Sequence, residues 1–224
     1  MEFHPEALSV ANRYKLLIGA IVPRPIALVS TISIDGVLNL APFSFFNGVG
    51  SNPMTLLFCP GNRADGSEKD TLRNCKPVEE GGTGEFVVNA AIEGYARQIA
   101  AAAEDLERDQ SEFDLVGLGT IRSRSVRPPR VAESPLAFEC QTTEVIRTNP
   151  GRPAGGNVVL GRVVNVFIRD DLVSDRMHVD SDGLRAIGRM GGFGYTTTRD
   201  RFEIPPGREA LDRENPFPSE DSDE

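Results

Sequence analysis

Apolar residues along the chain fall into short runs separated by turn residues. Ile26–Ile34 is rich in β-branched residues and ends at Asp35-Gly36, a pair typical of tight hairpins. The aromatic run Leu38–Val49 follows, and Met54–Cys59 begins after Asn52-Pro53. These runs predict a meander of consecutive antiparallel strands in the first third of the chain.

Further strands are predicted at Glu85–Ala90, Leu136–Arg147 and Asn157–Ile168, and the last two are joined by a Gly/Pro-rich turn at Asn149–Gly156. Thr196–Ile204 has the composition of one more short strand.

Helices are fewer. The alanine-rich stretch Ala91–Leu106 is the best helix candidate, since Tyr95 and Ile99 share a face at helical spacing. Thr71–Lys76 predicts a short helical turn.

This order of elements bears on the fold class. Strands do not alternate regularly with helices, which disfavours a doubly wound parallel sheet. We expect an all-β-dominated fold with few helices, namely a closed or partly closed antiparallel β-barrel, because closure removes exposed sheet edges. We predict one domain over residues 1–206 and an acidic, disordered tail over residues 207–224, ending in SEDSDE.

Charge and cysteine content narrow the function classes. The 224 residues carry a net charge of −9, which argues against general nucleic-acid binding and against docking on an anionic membrane. Cys59 and Cys140 lie in apolar strands and Cys75 in a polar stretch, and no CxxC pattern indicates a disulfide framework or a zinc site. The chain shows no signal peptide and no apolar run of membrane-spanning length, so we predict a cytoplasmic protein.

Common catalytic motifs are absent from the sequence. There are two histidines, and GxSxG, HExxH and GxxxxGK[ST] do not occur, so we predict no catalytic side chain and no metal site. The segment Gly188–Gly194 is not GxGxxG. Its glycines indicate either a tight turn or close approach of the backbone to a cofactor or a partner subunit.

Two segments have the chemistry of a ligand site. The loop Gly61–Thr71 combines cations and hydroxyls suited to a phosphate, although a plain surface loop has the same composition. Its candidate residues are Asn62, Arg63, Ser67, Lys69 and Thr71. Ala41–Asn47 (APFSFFN) is either an aromatic core strand or a strand whose backbone amides and Ser44 hydroxyl face a flat heterocycle.

Several segments, in order, resemble the flavin reductase-like, FMN-binding split-barrel family. They are residues 23–60 (PRPIALVSTISIDGVLNLAPFSFFNGVGSNPMTLLFCP), 69–74 (KDTLRN), 83–89 (TGEFVVN), 128–135 (PPRVAESP), 138–140 (FEC) and 188–192 (GRMGG) with Tyr195. The similar segments span roughly residues 15–206.

The resemblance implies a split β-barrel that pairs into a homodimer, with FMN near the dimer interface. By position, the residues expected beside the flavin ring are Ser30, Thr31, Asn39, Ala41, Pro42, Ser44 and Phe45. The part of the family that holds the phosphate is matched by Arg63, Lys69 and Thr71, and Asn62 of the same loop stays a candidate from its composition. A segment near the exposed side of the flavin is matched by Arg189, Gly191 and Tyr195. Residues 74–82 carry extra Pro and Gly relative to the family, which predicts an altered loop over the site.

The function that the resemblance implies is hydride transfer from NADH or NADPH to FMN, with a partner monooxygenase or another electron acceptor receiving the electrons. The alternatives are a flavoredoxin-like electron carrier without strong nicotinamide turnover and a non-catalytic FMN-binding protein. A haem protein on a related barrel, with His178 or Tyr195 as axial ligand, and a colourless structural module are further alternatives.

Overall fold

The computed structural model describes residues 1–213, and strands dominate them. The strands are β1 (Arg24–Pro25), β2 (Ala27–Ile32), β3 (Leu38–Phe43), β4 (Phe46–Ser51), β5 (Met54–Phe58), β6 (Glu85–Ala90), β7 (Thr120–Ile121), β8 (Arg130–Val131), β9 (Leu136–Arg147), β10 (Asn157–Ile168), β11 (Ile187–Arg189) and β12 (Tyr195–Thr197). The α-helices are α1 (Val10–Ala20), α2 (Asp70–Cys75), α3 (Ala96–Ala101), α4 (Glu112–Val116) and α5 (Ser181–Leu184). The prediction of a sheet-dominated fold with few helices is confirmed.

The main sheet has seven strands in the order β3-β2-β6-β9-β10-β5-β4, and every neighbouring pair is antiparallel. Although β3 and β4 follow one another in the chain, they lie at opposite edges of this sheet. No ladder joins these two edges within residues 1–213, so the sheet is not closed into a barrel. The closed form of the predicted barrel is therefore wrong for the described chain.

The sheet is covered on both faces. Alternate residues of β2 point to opposite sides, so that Leu28 joins a cluster with Ile99 and Phe113 from α3 and α4, while Val29 joins the opposite cluster. That second cluster includes an aromatic pair, in which the ring centroids of Phe58 and Phe86 are 5.1 Å apart. β3 lies at the edge of the sheet and pairs along its whole length with β2, which is buried on both faces.

The long predicted helix is interrupted. Ala91 accepts a backbone hydrogen bond from Ile187, and Ile92 bridges Ala186, which ties the start of the stretch to the sheet. A 3-10 turn at Glu93–Tyr95 then leads into the six residues of α3. The prediction of one helix over Ala91–Leu106 is therefore too long, because pairing with distant residues overrides the local helix propensity.

Helix α1 was missed by the prediction. Ser9 caps it by accepting a hydrogen bond at its Oγ from the N–H of Asn12. None of its residues is buried. Its apolar residues Val10, Tyr14, Leu17 and Ile18 recur at helical spacing, so the sequence held a signal for this helix that the prediction did not use.

The cysteines are free thiols. Cys75 is buried in spite of its polar sequence context, Cys140 is also buried, and Cys59 is half-buried. Burial raises the pKa of all three thiols. Within residues 1–213, no group of three or more His, Cys, Asp or Glu side chains is arranged to hold a metal ion.

The end of the chain is described only in part. Arg208–Asp212 form a 3-10 turn, and residues 214–224 of the predicted tail, including SEDSDE, lie outside the described residues. Across the described chain, no helix has the length and apolar character needed to cross a membrane. The cytoplasmic location stays a prediction.

Candidate functional site

Two adjoining cavities lie against β3 and share Pro42 and Ala103 in their walls. The first, which we call the arginine cavity, has a volume of about 190 Å³. Its walls are Tyr14, Ile18, Arg24, Ile26, Pro42, Ser44, Ile99, Ala100, Ala103, Arg189 and Tyr195. The second, the lysine cavity, has a volume of about 50 Å³ and includes Asn39, Ala41, Pro42, Arg63, Lys69, Asp70, Thr71, Asp105 and Glu112.

The lysine cavity brings together the predicted phosphate-binding side chains. Lys69 immediately precedes α2, Thr71 lies in its first turn, and Arg63 comes from the preceding loop. Arg63 Nη2 is 2.6 Å from Asp70 Oδ2 and 3.1 Å from Asp105 Oδ1. Its Nε is buried and has no hydrogen-bond partner within residues 1–213. A buried donor of this kind is costly unless a ligand satisfies it.

Asn39 fixes the floor of the lysine cavity. Its Nδ2 donates to Thr71 Oγ1 at 2.9 Å and to Thr31 Oγ1 at 3.2 Å, and Asn74 Nδ2 also donates to Thr31 Oγ1 at 3.1 Å. Because both threonine oxygens act as acceptors here, their own hydroxyl protons remain free to donate. Thr71 lines the cavity, so its proton can reach a bound anion, whereas Thr31 is buried behind Asn39.

Glu112 is a site residue that sequence reasoning missed. Its Oε2 accepts a 2.9 Å hydrogen bond from the backbone N–H of Leu40 in β3, so α4 is fastened to the edge of the sheet. The side chain is buried, and burial raises the pKa of its carboxyl. A lone glutamate at the start of a short helix, far along the chain from β3, has no local signal of this role.

The arginine cavity is organised by Arg24, which was also missed. Its guanidinium donates to Ser44 Oγ at 3.2 Å, to the carbonyl oxygen of Ile21 at 2.9 Å and to that of Met190 at 3.1 Å. On the other wall, the Arg189 guanidinium lies 4.5 Å from the centroid of the Tyr195 ring, within cation–π range. The signal that the sequence offered for Arg24 was a basic residue two positions before the apolar run that begins at Ile26.

The structure therefore brings most predicted site residues to one cleft. Those that line it are Asn39, Ala41, Pro42, Ser44, Arg63, Lys69, Thr71, Arg189 and Tyr195. Others lie outside both cavities. Ser30 is buried and donates to the carbonyl of Pro129 at 2.6 Å, while Asn62 donates to the carbonyl of Arg152 at 3.0 Å. Thr31, Phe45 and Gly191 are likewise absent from the walls.

A third cavity, of about 620 Å³, extends the cleft beyond its lysine end and shares Asn39, Asp70 and Glu112 with the lysine cavity. Carboxylates outnumber cations in its walls. The acidic residues are Asp35, Asp70, Glu80, Glu107, Asp109 and Glu112, and the basic ones are Arg73, Lys76 and Arg108. Lys76, Glu80 and the Gly81-Gly82 pair belong to the segment 74–82 whose composition departs from the family, so this segment forms a wall beside the cleft.

The cleft has two chemically different ends. At the lysine end, the cations Arg63 and Lys69 and the hydroxyl of Thr71 are the groups that suit a phosphate. They lie among four carboxylates, those of Asp70, Glu104, Asp105 and Glu112. Apolar side chains, phenol rings and two guanidiniums line the other end, and Pro42, where the two cavities meet, offers a flat surface to a conjugated ring. The residues present therefore fit a ligand with a phosphate at one end and a ring at the other.

Solved structures share this fold. Nitrilotriacetate monooxygenase component B from Bacillus cereus is 33% identical with a TM-score of 0.84, over 91% of this chain and 98% of that one. The 2-nitrobenzoate 2-nitroreductase NbaA of Pseudomonas fluorescens is 28% identical with a TM-score of 0.80, over 98% and 100%. A Shewanella frigidimarina protein described as a flavin reductase with a split barrel domain has a TM-score of 0.77 at 22% identity, over 92% and 100%, which shows the shared fold.

The family comparison agrees with these structures. The model of the flavin reductase-like domain matches residues 19–187, a segment that contains β1 to β10 and the beginning of β11. This range includes every residue that lines the lysine cavity, and it includes Arg24 of the arginine cavity. The resemblance predicted from the sequence motifs is confirmed, and the chain belongs to the flavin reductase-like domain family.

Proposed function

We propose that this protein binds FMN in the cleft along β3 and acts as an NAD(P)H-dependent flavin reductase. The observation that carries the proposal is that the lysine cavity, which holds Lys69, Arg63 and the Thr71 hydroxyl, adjoins the arginine cavity through Pro42 and Ala103. A flavin mononucleotide has the matching distribution of charge, with a phosphate at one end and an apolar tricyclic ring at the other.

The lysine cavity supplies the proposed phosphate contacts. Lys69 belongs to none of the ion pairs among residues 1–213, so its ammonium group is available to an incoming anion. The Thr71 hydroxyl and the unpartnered Nε of Arg63 add two donors. Charge-assisted hydrogen bonds of this kind are the stronger ones in proteins.

Pro42 and Ser44, on the side of the arginine cavity next to the lysine cavity, would lie against the ring. Pro42 offers a flat apolar surface, and the Ser44 hydroxyl, which accepts from Arg24, keeps its own proton for donation. FMN, when bound, supplies the capacity to accept and return a hydride. The chain's part is to bind and orient, which agrees with the fact that neither His4 nor His178 lines the cleft.

The destination of the electrons is a separate proposal. We propose a partner monooxygenase as acceptor, because a relative at 33% identity is a component B of nitrilotriacetate monooxygenase. A flavoredoxin-like carrier and a non-catalytic FMN-binding protein use the same cleft and remain the alternatives. They differ from a reductase in their turnover with nicotinamide.

We also propose that the protein is a homodimer. Helix α1 exposes Val10, Tyr14, Leu16 and Leu17, and the edge strand β4 exposes Val49. Large apolar side chains grouped on a helix and a sheet edge are typical of a subunit interface. A second copy of this chain is the occupant that the family resemblance implies. Light scattering on the purified protein tests this, and a monomer mass would reject it.

The first experiment on function is the visible absorption spectrum of the purified protein, recorded alone and during titration with FMN. We expect the spectrum of a bound flavin, followed by oxidation of NADH or NADPH when FMN is present. Binding without nicotinamide oxidation would favour the carrier. A protein that takes up no FMN would reject the proposed cofactor and every contact assigned to it.

A further inference from the structure

Arg24 is the one buried basic side chain among residues 1–213, with 3% of its surface exposed. None of the ion pairs in the described chain includes Arg24 or Arg189, the second arginine of the same cavity. Buried charges in proteins are as a rule paired with an opposite charge, because removing an ion from water is costly. This cavity therefore carries positive charge that no carboxylate of the described residues offsets.

One N–H group of the Arg24 guanidinium has no hydrogen-bond acceptor among the described residues. A guanidinium has five N–H groups. The four hydrogen bonds of Arg24 go to uncharged oxygens, namely three backbone carbonyls and the hydroxyl of Ser44. One N–H of Nη2 is therefore free at the wall of the cavity.

The electrostatic setting favours an anion. Burial lowers the pKa of the Arg24 guanidinium, Tyr14 partly opposes this effect, and the nearby charge of Arg189 adds to it. Two guanidiniums that face one small cavity repel each other, and an anion placed between them would relieve this repulsion.

The remaining walls indicate the shape of that anion. Ile18, Ile26 and Ile99 give the cavity an apolar side, and Tyr14 and Tyr195 add two phenol rings. Its volume of about 190 Å³ is below the roughly 300–1,000 Å³ typical of sites for drug-sized ligands. A single aromatic ring matches both this size and these walls.

We propose that the arginine cavity binds a small aromatic carboxylate, with the carboxylate at Arg24 and Arg189 and the ring against the apolar side. The proposal rests on the proposed function, in which Pro42 and Ser44 of this cavity face FMN. It adds the chemical class of a second ligand that would lie beside the flavin.

The test is calorimetric titration of the FMN-loaded protein with benzoate as probe. Benzamide has the same ring without the charge, and acetate has the charge without the ring. We expect benzoate to bind at least about tenfold more tightly than either, as expected for loss of a charge-assisted contact or of the ring's burial. Equal binding of benzoate and benzamide, or no binding of benzoate, would overturn the proposal.

Variants locate the site. Arg24 joins α1 to the turn after β11, so its loss would disturb the fold as well as the cavity. Arg189→Gln is therefore the main variant and Arg24→Lys the second. We expect Arg189→Gln to weaken benzoate binding at least about tenfold. Arg97→Gln, on the exposed face of α3, makes the same change of charge outside the cavity and should leave benzoate affinity unchanged. Equal affinities in the Arg189 and Arg97 variants would reject this cavity as the site.

Two further measurements separate this proposal from the proposed function. If benzoate raises the apparent Kd of FMN in a competitive manner, the cavity belongs to the seat of the flavin and the proposal of a second ligand fails. The second measurement is titration of the flavin-free protein with benzoate. Binding of benzoate there without any binding of FMN would reject the proposed cofactor and leave the anion site standing.

Discussion

The guanidinium of Arg63 is already held by a carboxylate, because its Nη2 lies 2.6 Å from Oδ2 of Asp70. The same nitrogen lies 3.1 Å from Oδ1 of Asp105, whose side chain is 72% exposed. An incoming phosphate must therefore compete with two carboxylates for this cation. Lys69 faces no such competition among the ion pairs of residues 1–213. Lys69 and Asp105 are thus expected to affect phosphate affinity in opposite directions.

Replacing Lys69 with Ala should weaken FMN binding. The change removes a cation of the lysine cavity, and a hydrogen bond to a charged group is worth on the order of 1.5–3 kcal/mol, or about 10- to 150-fold in Kd. Fluorescence titration with FMN measures the effect. Lys69→Arg, which keeps the charge, should recover part of the affinity, and an unchanged Kd in the alanine variant would remove Lys69 from the site.

Replacing Asp105 with Asn should strengthen FMN binding. The substitution frees Arg63 from one carboxylate and removes a negative charge from the phosphate end. Since exposed ion pairs contribute roughly 0–1 kcal/mol, we expect a decrease in Kd of at most about fivefold. Asp175→Asn, at an exposed position away from the cleft, is the matched control. Weaker binding in the Asp105 variant would mean that this carboxylate positions Arg63 for the ligand.

Glu112 should make stability depend on pH. Because burial raises the pKa of its carboxyl, the folded protein binds this proton more tightly than the unfolded chain does. The free energy of unfolding therefore falls as the pH rises from the ordinary range of a glutamate through the raised pKa. Glu112→Gln keeps an acceptor for the Leu40 N–H but does not titrate, so its stability relative to the natural protein should increase over this interval.

Urea denaturation at several pH values between about 4 and 8 measures this difference. The control is Glu133→Gln, since Glu133 is exposed and its carboxylate also accepts a backbone N–H, that of Gly119. A difference in stability that does not change with pH for Glu112→Gln would contradict the expected titration.

Gly161 in β10 should not tolerate a side chain. A Cβ at this position would lie 2.2 Å from Cζ of Phe86, which is fully buried. Overpacking of this kind costs about 1–3 kcal/mol, so Gly161→Ala should lower the free energy of unfolding by that amount. Gly48→Ala in β4 meets no atom within 4 Å and serves as the control. Equal stability of the two variants would show that Phe86 moves aside without cost.

The sequence determined most of the strands and much of the cleft. The runs at Glu85–Ala90, Leu136–Arg147 and Asn157–Ile168 are strands with the predicted bounds. Alternation, β-branched residues and turn signals are local properties, and so are readable without the fold. Lys69 and Thr71 were predicted from the composition of one short loop together with the family resemblance, and both line the lysine cavity.

Which polar residues are buried, and what they contact, depends on the tertiary structure. Arg24 obtains its role from the carbonyl of Met190, 166 residues away, and Glu112 from the N–H of Leu40, 72 residues away. Ala91 likewise lies outside the helix predicted for it, because its carbonyl accepts a hydrogen bond from the N–H of Ile187. Burial and long-range hydrogen bonding depend on which segments pack together, and no local pattern of residues contains that information.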